Sequence, residues 1–97
     1  MLHTVNKTPF QSDSLTQCLK FAQAGDPILL IEDGVYAAQA GGKFADQLKE
    51  VSGSGRLYAL EGDLKARGIN RLLDGVKVIG YEGFVELVED HQVNTWL

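Results

Sequence analysis

The chain has 97 residues, 44% of them hydrophobic, and a net charge of −4 with an isoelectric point near 5. That is one domain, residues 1–97, with too much apolar content for a disordered chain and too much acid for a protein that relies on phosphate contacts. Lys and Arg are scattered rather than arranged in a stripe with aromatics, so direct nucleic-acid binding is not expected. The start, MLHTVNKTPF, lacks a charged leader followed by a long apolar core, and the longest apolar run, 28–31, is far too short to span a membrane. A single cysteine forms no internal disulfide, which makes a cytoplasmic location the expectation.

In chain order, Leu2 to Val5 is a short strand, and Asn6 to Asp13 is a loop around Pro9. Ser14 followed by Gln17 fits a capping box, and Leu15, Cys18, Leu19 and Ala22 share one helical face, with Gly25 as the cap after Ala24. Pro27 to Glu32 is a continuous apolar run of the kind buried on both faces of a parallel sheet. Asp33-Gly34 then turns the chain into the alanine-rich VYAAQA, read as helix, which breaks at Gly41-Gly42. Lys43 to Val51 is more helix and Ser52 to Gly55 a loop.

Arg56 to Leu60 is the third strand, and Asp63 to Arg67 one or two helical turns capped by Gly68. Val76 to Gly80 is the fourth strand, and Tyr81 to Asp90 a helix with Phe84, Val85, Leu87 and Val88 on its apolar face. The tail QVNTWL docks back through its aromatic. This alternation predicts an α/β fold: a mainly parallel sheet of four to five strands, right-handed crossovers and helices on both faces. Ligands or partners then meet the carboxyl ends of the strands, marked by Asn6-Lys7, Glu32-Asp33-Gly34, Glu61-Gly62-Asp63 and Gly80-Tyr81.

Candidate chemistry is sparse. Cys18 is the one thiol nucleophile, close enough to a helix start for the dipole to lower its pKa, but it shares its face with Leu15 and Leu19 and reads more readily as a small buried hydrophobe. His3 lies inside a strand, where a packed, hydrogen-bonded histidine is expected, and His91 follows an acidic helix end that it can cap. Glu32, Asp33 and Asp63 could serve acid–base chemistry or simply cap helices. No spacing suits a metal, and there is no nucleotide-binding glycine motif, GxSxG, HExxH or CxxC, so neither metal nor cofactor is expected.

Four stretches, in order, resemble the TusB/DsrH family of sulfur-relay proteins: MLHTVNKTPF, SLTQCLKFAQAGDPILLIEDGVYAA, LYALEGDLKARGI, and YEGFVELV with the terminal TWL. The resemblance covers nearly the whole chain. It implies a single-domain, three-layer, flavodoxin-like fold of the DsrE/F/H kind. It also implies assembly with TusC/DsrF-like and TusD/DsrE-like subunits into a dimer of heterotrimers that exchanges persulfide sulfur with TusA-, TusE- or DsrC-like carriers.

In the Tus system the sulfur ends on the wobble uridine of tRNA; in the Dsr system it belongs to sulfur oxidation. The established persulfide cysteine lies on the TusD/DsrE-type subunit, so the resemblance implies a supporting, non-catalytic subunit here. Cys18 stands where DsrH-like members carry a cysteine, which leaves a direct carrier role open. A homo-oligomeric ligand-binding module using Asp33 and Asp63 is the remaining alternative, and an isolated chain with an unsatisfied interface would self-associate.

Overall fold

The computed structural model describes residues 1–97. Five strands, β1 (Leu2–Val5), β2 (Ile28–Leu30), β3 (Leu57–Leu60), β4 (Lys77–Ile79) and β5 (Val93–Trp96), form one wholly parallel sheet in the order β4-β3-β2-β1-β5. Helices α1 (Ser14–Phe21), α2 (Ala45–Gly53), α3 (Glu61–Ala66) and α4 (Tyr81–Asp90), together with a 3₁₀ segment at Glu32–Ala38, make the connections. Parallel neighbours cannot be joined by tight hairpins, which is why every connection carries helix. The chain steps outward from β1 to β4 and then returns across the sheet to β5, so α4 lies on the opposite face from the earlier helices.

Registry and alternation sort the strand residues. His3, Ile28 and Leu57 form one row, and Val5, Leu30 and Ala59 a second row on the same face. Those rows meet Leu15 and Cys18 of α1, Val35 and Ala38 of the 3₁₀ segment, Leu48 of α2 and Leu64 of α3 in one buried cluster. Leu29, Tyr58 and Lys77 point the other way, toward the α4 side. There a Cβ at Gly83 would stand 2.9 Å from the Cβ of Ile79, so the absent side chain is what lets α4 approach β4. No residue of α4 is fully buried. The α/β class, the mainly parallel sheet and the helices on both faces are as the sequence predicts.

Several local expectations are corrected. The tail does more than dock an aromatic: Val93–Trp96 pairs in register with Leu2–Val5 as the fifth strand. The capping box is absent, because Asp13 is the N-cap residue and the Ser14 hydroxyl instead bonds Ser12 Oγ at 2.9 Å and donates to the Leu97 carbonyl at 3.2 Å. Helix α1 ends at Phe21 rather than Ala24, since Ala22 has turned to extended backbone. Gly25 takes its left-handed conformation (φ +94°) in the following turn. VYAAQA is not α-helix; its first four residues end the tighter 3₁₀ segment. Helix α2 runs to Gly53, into the expected loop, and α3 begins at Glu61, earlier than Asp63.

Candidate functional site

Two places hold the residues singled out above. The first is the carboxyl end of the sheet. Where β2 ends, the Ile31 amide donates to the Val5 carbonyl at 3.1 Å, drawing the β1 and β2 exits together. Gly34 then crosses so close to Val5 that a Cβ would overlap the Val5 carbonyl oxygen. A glycine is therefore required there for contact reasons alone. Glu32 sits at φ +50°, a left-handed conformation that costs a side-chain-bearing residue on the order of 1–2 kcal/mol. Its amide is held in that turn by donating to Asp63 Oδ2 at 2.7 Å. Asp63 thus reaches from α3 to brace the β2 exit.

Arg67 completes the arrangement. Its Nε donates to Asp33 Oδ1 at 2.9 Å, its Nη1 donates to the Asp63 carbonyl at 3.2 Å, and the same nitrogen lies 3.6 Å from Asp63 Oδ1. Asp33, Gly34 and Asp63 are therefore brought together. Asn6 is adjacent, its Cα within 3.5 Å of the Cβ position of Gly34. Its side-chain Oδ1 is enclosed without a hydrogen-bond partner, an unusual state for a buried acceptor. Lys7 is exposed and enters no ion pair.

A cleft of about 450 Å³ opens beside these residues, lined by Thr8, Phe10 and Gln11 of the loop after β1 and by Asp33 and Tyr36 of the 3₁₀ segment. Phe10 is exposed and stacks edge-on against Phe44 at 5.5 Å between ring centres. The cleft offers hydroxyl, amide, carboxylate and aromatic surface, which suits recognition, and no thiol lines it. Of its lining, sequence reasoning found Asp33 and missed Thr8, Phe10, Gln11 and Tyr36. It also placed Arg67 only at the end of a short helix and not in this cluster. The spacing of Asp63 and Arg67, four residues apart on a helix, was the available signal.

The second place surrounds Cys18 and His3. Cys18 is 0% exposed, and burial, with a smaller push from the Asp26 carboxylate, raises its thiol to about 12. A persulfide carrier needs an accessible thiolate, and Cys18 in this conformation is neither accessible nor ionised at neutral pH. His3 is likewise 0% exposed. The Trp96 indole N–H donates to its Nδ1 at 3.1 Å, so that nitrogen bears no proton; Nε2 carries it and donates to Asp26 Oδ2 at 3.0 Å. The Gln23 amide, then His3 and then the Met1 amine hold the Asp26 carboxyl down at about 2. Phe21 packs edge-on against both His3 and Trp96. His91 caps α4, its Nδ1 donating to the Leu87 carbonyl at 3.0 Å. No group of three or more His, Cys, Asp or Glu side chains is placed to hold a metal ion, and no helix is long and apolar enough to cross a membrane.

A family model for DsrH-like proteins matches residues 7–94. Protein TusB of Serratia proteamaculans is 43% identical over 93 residues, covering 95% of each chain. Protein TusB of Photorhabdus laumondii is 41% identical over 98 residues, covering 99% of this chain and 100% of the relative. Among solved structures, the ychN protein from E. coli superposes with a TM-score of 0.82 at 20% identity, covering 97% of both chains, a likeness that shows the fold alone.

Proposed function

The chain belongs to the DsrH-like family of sulfur-relay subunits, and from that premise we propose that it is a cytoplasmic, non-catalytic member of a heteromeric complex passing persulfide sulfur toward 2-thiolation of the tRNA wobble uridine. In this reading the subunit pairs with TusC/DsrF-like and TusD/DsrE-like partners, and the sulfur itself travels on a partner's cysteine. The observation that carries the supporting role is the burial of Cys18, whose thiol lies far above the range in which a sulfur-accepting cysteine works. Near full-length similarity to TusB proteins favours the tRNA branch over sulfur oxidation.

The carboxyl end contributes recognition. Asp33 lines a cleft whose exposed Phe10 and hydroxyl and amide groups suit contact with another subunit or with a carrier protein, and Asn6, Lys7, Gly34 and Asp63 lie at the same end of the sheet.

Deleting the gene should abolish 2-thiouridine in the host's tRNA, and the wild-type chain should restore it. The Cys18→Ala chain should restore it equally, with its melting temperature checked to exclude misfolding. Unchanged thiolation on deletion would overturn the tRNA branch. Failure of a folded Cys18→Ala chain to restore it would make Cys18 a carrier.

A further inference from the structure

Helix α4 carries two adjacent rows that the reading above does not use. Tyr81, Val85 and Val88 recur at spacings of four and three, and Glu82, Glu86 and Glu89 repeat the same spacing one position on. On a helix each set forms a continuous stripe, and the two stripes run side by side. Tyr81 is 77% and Val88 38% exposed, and Val85 is half-buried, while Gly83 of the same helix meets the sheet. The apolar stripe therefore lies beyond what the sheet covers.

The charge is equally one-sided. Glu82, Glu86, Glu89 and Asp90 are the only charged residues of α4, and none enters an ion pair. Together they equal the whole net charge of −4. Glu82 and Glu86, and Glu86 and Asp90, are like charges four apart, an arrangement that weakens a helix in isolation. No cation of the fold pairs with these acids to relieve it.

These features choose among occupants. A second copy docking α4 on α4 would oppose two acidic stripes. A nucleic acid or an anionic membrane would bring more negative charge to the same place. A protein surface with an apolar strip bordered by Lys and Arg satisfies both rows at once.

We propose that the outer face of α4, through Tyr81, Val85 and Val88 beside Glu82, Glu86 and Glu89, is a docking surface for a basic, apolar-centred face of a partner protein. The choice of test partner rests on the relay-subunit reading, since the probe is the pair of TusC/DsrF-like and TusD/DsrE-like subunits from the same host. Affinity is measured for the wild-type chain and for a Glu82→Gln/Glu86→Gln/Glu89→Gln variant, at low and high salt.

Hydrogen exchange of α4 is followed free and in the complex. The three acids make no side-chain hydrogen bond within the fold and enter no ion pair, so the variant should melt like the wild type. It should bind about tenfold more weakly at low salt, with the gap closing at high salt. The α4 amides should gain protection on assembly. Equal binding by the variant, or α4 amides unprotected in the complex, overturns the surface and leaves the relay reading standing. A wild-type chain that fails to assemble overturns both. A homodimer strengthened by the glutamine variant shows that the occupant is a second copy and overturns the basic partner.

Discussion

The two ends of the parallel sheet are built from similar polar residues and treat them in opposite ways. Toward the amino end, His3 is fully enclosed and each ring nitrogen has one committed partner, Trp96 on one side and Asp26 on the other. At the carboxyl end Arg67 also joins two aspartates, but Asp33 is largely exposed, Asn6 retains an unpaired acceptor and Glu32 is held in a left-handed turn. The closed cluster ties together three segments far apart in the chain: the start of β1, the turn before β2 and, through the Trp96 side chain reaching back from its place beside Val5, strand β5. The open end leaves a cleft and a conformationally costly residue at the place where α/β sheets meet ligands and partners. The same set of strands is thus closed at one end and left open at the other.

The contrast can be broken most forcefully at Gly34. Gly34→Ala should cost about 4 kcal/mol or more, a large share of the stability of a domain of this size, because the added methyl meets backbone that cannot move aside. Gly62→Ala, at the same end but with open space around it, should leave the denaturant midpoint unchanged or raise it slightly. If both variants melt alike, the close approach at Gly34 is not what shapes the carboxyl end.

His3→Leu tests the closed end. It keeps apolar bulk but leaves the Trp96 indole N–H without its acceptor, and should cost about 1–3 kcal/mol. The loss should show first as faster hydrogen exchange in β5, the edge strand anchored by that bond. Uniform exchange across the sheet would mean that His3 is not the anchor of β5.

The smallest effect is a pH dependence. Asp26 has its folded pKa lowered to about 2 from an ordinary 3.8, so its contribution is fully present above about pH 4 and is lost as pH falls toward 2. Thermal melts between pH 5 and 2 should show that decline, and Asp26→Asn should flatten it. An unchanged slope in the asparagine variant would place the acid sensitivity elsewhere.

Much of this molecule was legible beforehand because its signals are local. The run from Pro27 to Ile31 is apolar throughout because the strand it contains is covered on both faces. The strand-end residues Asn6, Asp33, Gly34 and Asp63 were legible as one set, since strand termini in a parallel sheet share an edge. The misses have a common cause. Ser14 looked like a cap, but its hydroxyl found partners in Ser12 and in Leu97, the latter 83 positions away. VNTW read as a tail because a four-residue strand has no periodicity of its own and acquires identity only by pairing with β1.

By itself the sequence determined the α/β alternation and the family, because each depends on residue order and type. Tertiary structure alone decided that Cys18 is sealed, that Arg67 bridges Asp33 and Asp63, and that His3 is claimed on both sides. Burial, charge pairing and tautomer depend on which distant segments arrive beside a residue, and that is settled only when the sheet closes its register.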